Sequence, residues 1–155
     1  MTAKPYVPPK GRVLTPYICC REAAKAIEWY GEVFGATLTG EPYVEADGRV
    51  GHAEIEIDGG VVMLSDAYPS FGVDAPPADQ LPTYALVLYV ADADATVAAA
   101  ERAGATVQRA VEDMFDGSRR GTIVDPFGIR WMLGTHLRDV TEADLTAARD
   151  DFAGS

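Results

Sequence analysis

Two β-α-β-β-β modules in a single α+β chain are what this sequence predicts, on two observations. Its segments nearly repeat at an offset of 69 residues, and each copy holds one stretch of helical apolar spacing among short strand-like runs. Gly35-Ala36-Thr37 recurs as Gly104-Ala105-Thr106, Asp47-Gly48 as Asp116-Gly117, Gly59 as Gly128, and Met63-Leu64 as Met132-Leu133. A glycine kept at the same step of both copies implies the same turn in each. The period is too long for a solenoid, so two modules within one domain is the reading. The 155 residues suit one domain, and modules of about 60 residues would be marginal alone, so a shared core is expected.

Residues 1–11 contain Pro5, Pro8 and Pro9, which cannot pair continuously in a sheet, and read as an N-terminal arm. A single domain is expected over 12–137. Its first module, 12–66, opens with a strand from Arg12 to Cys20. Ala23, Ala26, Ile27, Tyr30, Val33 and Phe34 then follow at helical spacing, and Gly35 stands where that helix would stop. Strands are expected near Ala36 to Tyr43, Val50 to Asp58 and Val61 to Asp66, with Asp58-Gly59-Gly60 as a hairpin turn. Residues 67–82, rich in proline and acid, read as a linker or lid carrying Tyr68 and Phe71. The second module, 83–137, repeats the order. A strand near Tyr84 to Val90 leads to a helix from about Asp92, its N-cap, to Ala103, and strands follow near Ala105 to Val111, Gly121 to Asp125 and Ile129 to Thr135. Residues 138–155 form a C-terminal helix and tail, with a capping pattern from Thr141 to Asp144 and apolar Leu145, Ala148 and Phe152.

Charge and cysteine content narrow the function. Thirteen Lys and Arg stand against 24 Asp and Glu, which argues against nucleic acid or an anionic membrane surface as a partner. Cys19 and Cys20 are neighbours whose side chains would leave a strand on opposite faces, so they read as buried thiols in a reducing compartment. No apolar run approaches the roughly 20 residues of a membrane span, and the start lacks the apolar stretch of a signal peptide, so a cytoplasmic protein is expected. Neither a phosphate-binding loop, a dinucleotide fingerprint, a zinc spacing nor a nucleophile arrangement is present.

The run Glu28-Trp29-Tyr30-Gly31-Glu32-Val33-Phe34-Gly35-Ala36 and the late turn Asp125-Pro126-Phe127-Gly128, on a module used twice, resemble the vicinal oxygen chelate superfamily. That group includes glyoxalase I, extradiol dioxygenases, fosfomycin-modifying enzymes and bleomycin-binding resistance proteins. Gly51-His52-Ala53-Glu54, Met63-Leu64-Ser65-Asp66, the same late turn and Gly134-Thr135-His136 look most like its PhnB-like branch; the resemblance runs from about Val13 to Asp144. It implies a glyoxalase-like fold in which each module curls into half of a concave, half-barrel-like mixed sheet around a shared cavity. Metal-using members take one ligand from the first and one from the last strand of each module. By alignment those positions fall on Thr15, Met63, Ala85 and Met132, none of which suits a divalent ion. No metal and no other cofactor is therefore expected. The family's habit also implies a homodimer.

Strand parity sorts the remaining candidates. Thr15, Tyr17 and Cys19 share a face, as do Val61, Met63 and Ser65, then Ala85, Val87 and Tyr89, then Arg130, Met132 and Gly134; the opposite faces, with Ile18, Leu64, Leu86, Trp131 and Leu133, suit packing under helices. Thr15, Tyr17, Met63, Ser65, Tyr89 and Met132 are thus expected to line a ligand cavity. His52 and Glu54, about 7 Å apart on one strand, form a proton-transfer or ligand-contacting pair at its rim, a shared metal site, or an ordinary solvated strand face. Arg119 is expected either to clamp an anionic substituent or to pair with Asp113 or Asp116, and Phe115, Tyr68 and Phe71 either stack on a ligand or anchor loops. His136 reads as a surface or capping residue. Three functions compete: a metal-independent protein that sequesters a partly apolar or aromatic small molecule between the modules, an isomerase or lyase using His52 and Glu54 for proton transfer with Arg119 as anion clamp, and a structural or regulatory domain whose cavity is filled by its own side chains.

Overall fold

The computed structural model describes residues 13–153. The expected arm, residues 1–11, lies outside them, as does Arg12. Two compact units emerge, one running to Pro82 and including Phe127–Ile129, the other comprising Thr83–Pro126 and the chain from Arg130 onward.

The first unit holds β1 (Tyr17–Cys19), α1 (Ala23–Phe34), β2 (Thr37–Leu38), β3 (Tyr43–Val44), β4 (Val50–Ile57) and β5 (Gly60–Ser65). Its strands run in the order β1-β5-β4-β2, with β3 also on β4; β1 is parallel to β5 and the other pairs are antiparallel. The second unit holds β6 (Leu86–Tyr89), α2 (Ala93–Arg102), β7 (Thr106–Asp113), β8 (Ser118–Val124) and β9 (Arg130–His136), in the order β6-β9-β8-β7 with β6 parallel to β9. This is the expected β-α-β-β-β plan, used twice. The linker contains a short 3₁₀ turn at Pro69–Phe71, and α3 (Glu142–Ala153) begins on a reciprocal cap between Thr141 and Asp144.

Two elements are shorter than the sequence suggests. Of the expected first strand, Tyr17–Cys19 is in register with β5; the Pro16 carbonyl still accepts from the N–H of Met63 at 2.9 Å, but Pro16 has no N–H with which to carry the ladder further back. The strand expected from Ala36 to Tyr43 is broken into β2 and β3 around Gly40-Glu41-Pro42, for the same reason.

The repeat extends to conformation and hydrogen bonding. Gly48 and Gly117 both have positive φ, 87° and 78°, and each follows an aspartate that accepts the backbone N–H two residues on, Arg49 in one copy and Ser118 in the other. One functional match hides behind a difference in residue type. Asp66 accepts hydrogen bonds from the N–H of Ala23 at 2.9 Å and of Val50 at 2.8 Å, tying the start of α1 to the sheet. Its partner in the repeat, Thr135, accepts from the N–H of Ala93 at 2.8 Å and donates to the carbonyl of Val90. Asp66 is needed because Glu22, the residue before α1, sits in left-handed backbone and offers no side-chain cap.

In each unit one helix, α1 or α2, covers one sheet face. In the first unit Ala23, Ala26, Trp29 and Tyr30 of α1 are buried with Ile18, Ala53, Ile55 and Leu64, and Phe127 meets Trp29 and Tyr30 edge-on. In the second, α2 buries Ala93, Val97 and Ala100 with Ile123, Trp131 and Leu133. Trp131 donates its indole N–H to the buried carboxylate of Asp125 at 2.9 Å.

Candidate functional site

The sheet face turned from α1 carries the polar side chains of the first unit, and its register fixes which of them meet. Tyr17 is beside Met63, which is beside Glu54; Cys19 is beside Ser65; Glu56 is beside Val61 on one side and Thr37 on the other. The expected parity holds here: Ile18, Val62 and Leu64 are buried, whereas Tyr17 is exposed and Met63 half-buried. A cavity of about 750 Å³ opens on this face, lined by Thr37 to Glu41 and by His52, Ala53, Glu54, Glu56 and Val61.

His52 and Glu54 do come together. The Nε2 of His52 lies 3.5 Å from an Oε1 of Glu54, both side chains are partly exposed, and the Tyr17 ring lies 5.9 Å from the imidazole. Thr39 approaches the other Glu54 oxygen at 3.4 Å. Three carboxylates, Glu41, Glu54 and Glu56, therefore line the cavity with one imidazole and no Lys or Arg. Sequence reasoning missed the wall from Thr37 to Glu41, since it assigned that stretch to a continuous strand. The alternation of Glu56 with His52 and Glu54 was the available signal for the third carboxylate.

Other candidates are placed differently. Ser65 shares the face by register but is only 1% exposed, its hydroxyl shielded and without a partner among the described residues. Burial beside Asp66 and Asp74 pushes the Cys19 thiol up to about 11, so it stays protonated near neutrality. Tyr68 carries the Arg49 guanidinium over its ring at 4.6 Å, while Phe71 and Phe115 are exposed on their loops. His136 ends β9 and pairs with Asp139 at 3.0 Å.

In the second unit Val87 lies beside Met132 and Tyr89 beside Gly134, on the face opposite buried Trp131 and Leu133. Arg119 lies on the other face. It shares the side of Gly121, where an added Cβ would come 3.3 Å from Val97 of α2, and its guanidinium is held by Asp94 of α2 and by Asp113 of β7. Of the two readings of this arginine, pairing with Asp113 is the one seen, and Asp116 instead pairs with Arg120. Arg119 thus stands on the helix side with its guanidinium taken up by two carboxylates.

The positions implied for a metal can be tested against this register. Thr15 and Ala85 precede their strands; the residues beside Met63 and Met132 are Tyr17 and Val87. Thioether, phenol, hydroxyl and aliphatic side chains do not fit a divalent ion in either version of the set. Among the described residues no group of three or more His, Cys, Asp or Glu side chains is arranged to hold one. Nor, among them, is any helix long and apolar enough to cross a membrane.

Comparison with known proteins agrees with this architecture. The family model for the glyoxalase/bleomycin resistance protein/dioxygenase superfamily matches residues 12–133. The uncharacterized proteins Mb0911c of Mycobacterium bovis and Rv0887c of Mycobacterium tuberculosis are each 38% identical over 138 residues, covering 87% of this chain and 90% and 81% of theirs. Among solved structures, TioX from Micromonospora sp. ML1 superposes with a TM-score of 0.62 at 24% identity, covering 82% of this chain and all of TioX. The PhnB protein from Bacillus cereus gives 0.61 at 16%, covering 80% and 99%. FosX, a fosfomycin resistance protein from Listeria monocytogenes crystallised with Mn(II) and sulfate, gives 0.62 at 9%, covering 87% and 97%. With its repeated modules, its two sheets of like order and the match over most of its length, the chain belongs to the glyoxalase/bleomycin resistance protein/dioxygenase superfamily.

Proposed function

We propose that this protein binds a small, partly apolar cation without a metal, in the cavity on the open sheet face of its first unit. The observation that carries the reading is the lining: Glu41, Glu54 and Glu56 line the cavity with no Lys or Arg among its residues, together with the apolar Leu38 and Val61. The unsuitable side chains around Met63 and Met132 support metal independence, and the net charge of −11 favours a cationic ligand in approach as well as in binding. On the residue strings given above we also assign it to the PhnB-like branch, as a cytoplasmic homodimer.

Thermal-shift and calorimetric titration with cationic aromatics tests this, using berberine and 4-aminomethylpyridine against neutral and anionic analogues of matched size. Cations should bind preferentially and be recovered unchanged, and the double variant E54Q/E56Q should weaken them at least tenfold. Equal binding of neutral analogues, or full affinity in the double variant, would remove the proposal.

The approach of His52 to Glu54 beside Tyr17 favours a second reading, proton transfer on the bound molecule. Turnover of a bound cation that is lost in His52→Ala with binding retained would establish it. Arg119 has no part in this version, because its guanidinium is engaged on the helix side of the other unit.

A further inference from the structure

The start of this acidic chain is basic. Residues 1–12 hold Lys4, Lys10 and Arg12 and no acid, whereas all 24 acidic residues fall from Glu22 onward, together with the other 10 of the 13 Lys and Arg. Tyr6 and Val7 stand between the two lysines, so the segment is itself a partly apolar cation. Residues 1–11 also precede the part of the chain shared with the superfamily, so its common fold gives them no role. Pro5, Pro8 and Pro9 fix their own φ angles, which reduces the conformational entropy lost when such a segment docks.

The described chain begins on the cavity side of the first unit. β1 is parallel to β5 and joins it with Tyr17 beside Met63, so the residues before Tyr17 lie toward Val61, which lines the cavity. Val13 and Leu14, 69% and 86% exposed, make that approach at the surface. Met63 in turn neighbours Glu54, which puts Tyr17 two strand spacings, about 10 Å, from Glu54 across the sheet. The four residues from Val13 to Tyr17 span at most about 14 Å, and Lys4, nine residues before Val13, extends about 30 Å from it. Lys4 thus has chain enough to reach Glu54, whereas Lys10, with about 10 Å of chain before Val13, stays nearer the rim.

We propose that residues 4–6 of this chain occupy the acidic cavity of its own first unit and hold it against other cations. The Lys4 ammonium sits among Glu41, Glu54 and Glu56, and the Tyr6 ring lies against the apolar lining of Leu38 and Val61. The proposal rests on the reading of this cavity as a cation site. Its volume of about 750 Å³ is that of a small-molecule site and admits a few residues rather than the whole arm. A short tether supplies an effective concentration in the millimolar range, so even a weak contact keeps the cavity largely filled. A competing cation then binds with an affinity reduced by the fraction of molecules whose cavity is open.

The test compares ¹⁵N–¹H correlation spectra of the full chain with those of K4Q/K10Q and E54Q/E56Q, and berberine titrations of the first two by calorimetry. K4Q/K10Q should shift the amides of Thr37 to Glu41 and His52 to Glu56, E54Q/E56Q should shift those of Lys4 to Val7, and K4Q/K10Q should bind berberine at least threefold more tightly than the wild type. Cavity amides unmoved in K4Q/K10Q, or equal berberine affinity in the two proteins, would overturn the arm as occupant; berberine binding would then still uphold the cation site itself. Reciprocal amide shifts without berberine binding would support the arm and remove the small-cation reading instead. Shifts that grow with protein concentration between 20 and 500 μM would place the arm in a second copy and overturn its assignment to the same chain.

Discussion

Arg119 holds Asp94 through two parallel hydrogen bonds, from Nε at 2.6 Å and from Nη2 at 2.9 Å, fastening the first turn of α2 to β8. The same guanidinium reaches Asp113 on β7 at 2.8 Å, so one side chain fixes a helix and two strands. Hydrogen bonding from Arg119 is the main reason the Asp94 carboxyl is held below its ordinary value. A carboxyl with a lowered folded pKa contributes stability that is present above its unfolded value, near 4, and lost as pH falls through the folded one. The urea midpoint of D94N should therefore lie below that of the wild type at pH 7, and the gap should close on acidification below about pH 4. A gap unchanged down to pH 2.5 would refute the ion-pair account.

Asp66 predicts a different pattern. Asp66→Ala leaves the N–H groups of Ala23 and Val50 without their acceptor and should cost about 1 to 2 kcal/mol, read from urea unfolding. Asp66→Thr should recover part of this, since Thr135 already serves as acceptor at the matching position of the other unit. No recovery would mean that the two helix starts are not interchangeable.

Cys19 should resist alkylation. With its thiol pushed up to about 11, first by burial and then by Asp66 and Asp74, little thiolate exists at pH 8, and iodoacetamide should label it far more slowly than in urea. The linkage has a definite sign. The unfolded thiol ionises near 9 while the folded one does not, so the unfolded state binds fewer protons and Cys19 lowers stability as pH rises from about 9 to 11. In Cys19→Ser that part of the alkaline decline should vanish.

Much of this molecule is legible from residues alone, and the exceptions have physical causes. The helix from Ala23 to Phe34 and the stop at Gly35 follow from apolar spacing and a left-handed residue at φ 68°. The face assignments of Ile18, Leu64, Trp131 and Leu133 follow from alternation, and burial agrees. The break at Gly40-Glu41-Pro42 has its local signal in Gly40 and Pro42, both strand breakers, which a single strand from Ala36 to Tyr43 passes over; pairing with β4 shows that Thr37 and Tyr43 belong to different ladders. Arg119 stood with two readings because its partner Asp94 is 25 residues away on a helix, beyond any local pattern. Parity assigns Arg130 its face, but that its Nε finds no hydrogen-bond partner among the described residues is a property of packing that no sequence spacing encodes.

The duplicated Asp-Gly turn makes the chain its own reference experiment. Gly48 and Gly117 share backbone conformation, preceding residue and hydrogen-bond pattern, yet a Cβ on Gly48 would meet nothing within 4 Å while one on Gly117 would fall 2.2 Å from the carbonyl oxygen of Arg138. Gly48→Ala should therefore report the cost of left-handed backbone by itself, about 1 kcal/mol. Gly117→Ala should report that cost plus displacement of the segment following β9, to which the Gly117 carbonyl is bonded by the N–H groups of Leu137 and Arg138. Subtracting one from the other within a single background isolates how firmly that exit segment is seated, a quantity that unpaired turns in other proteins leave mixed with conformational strain.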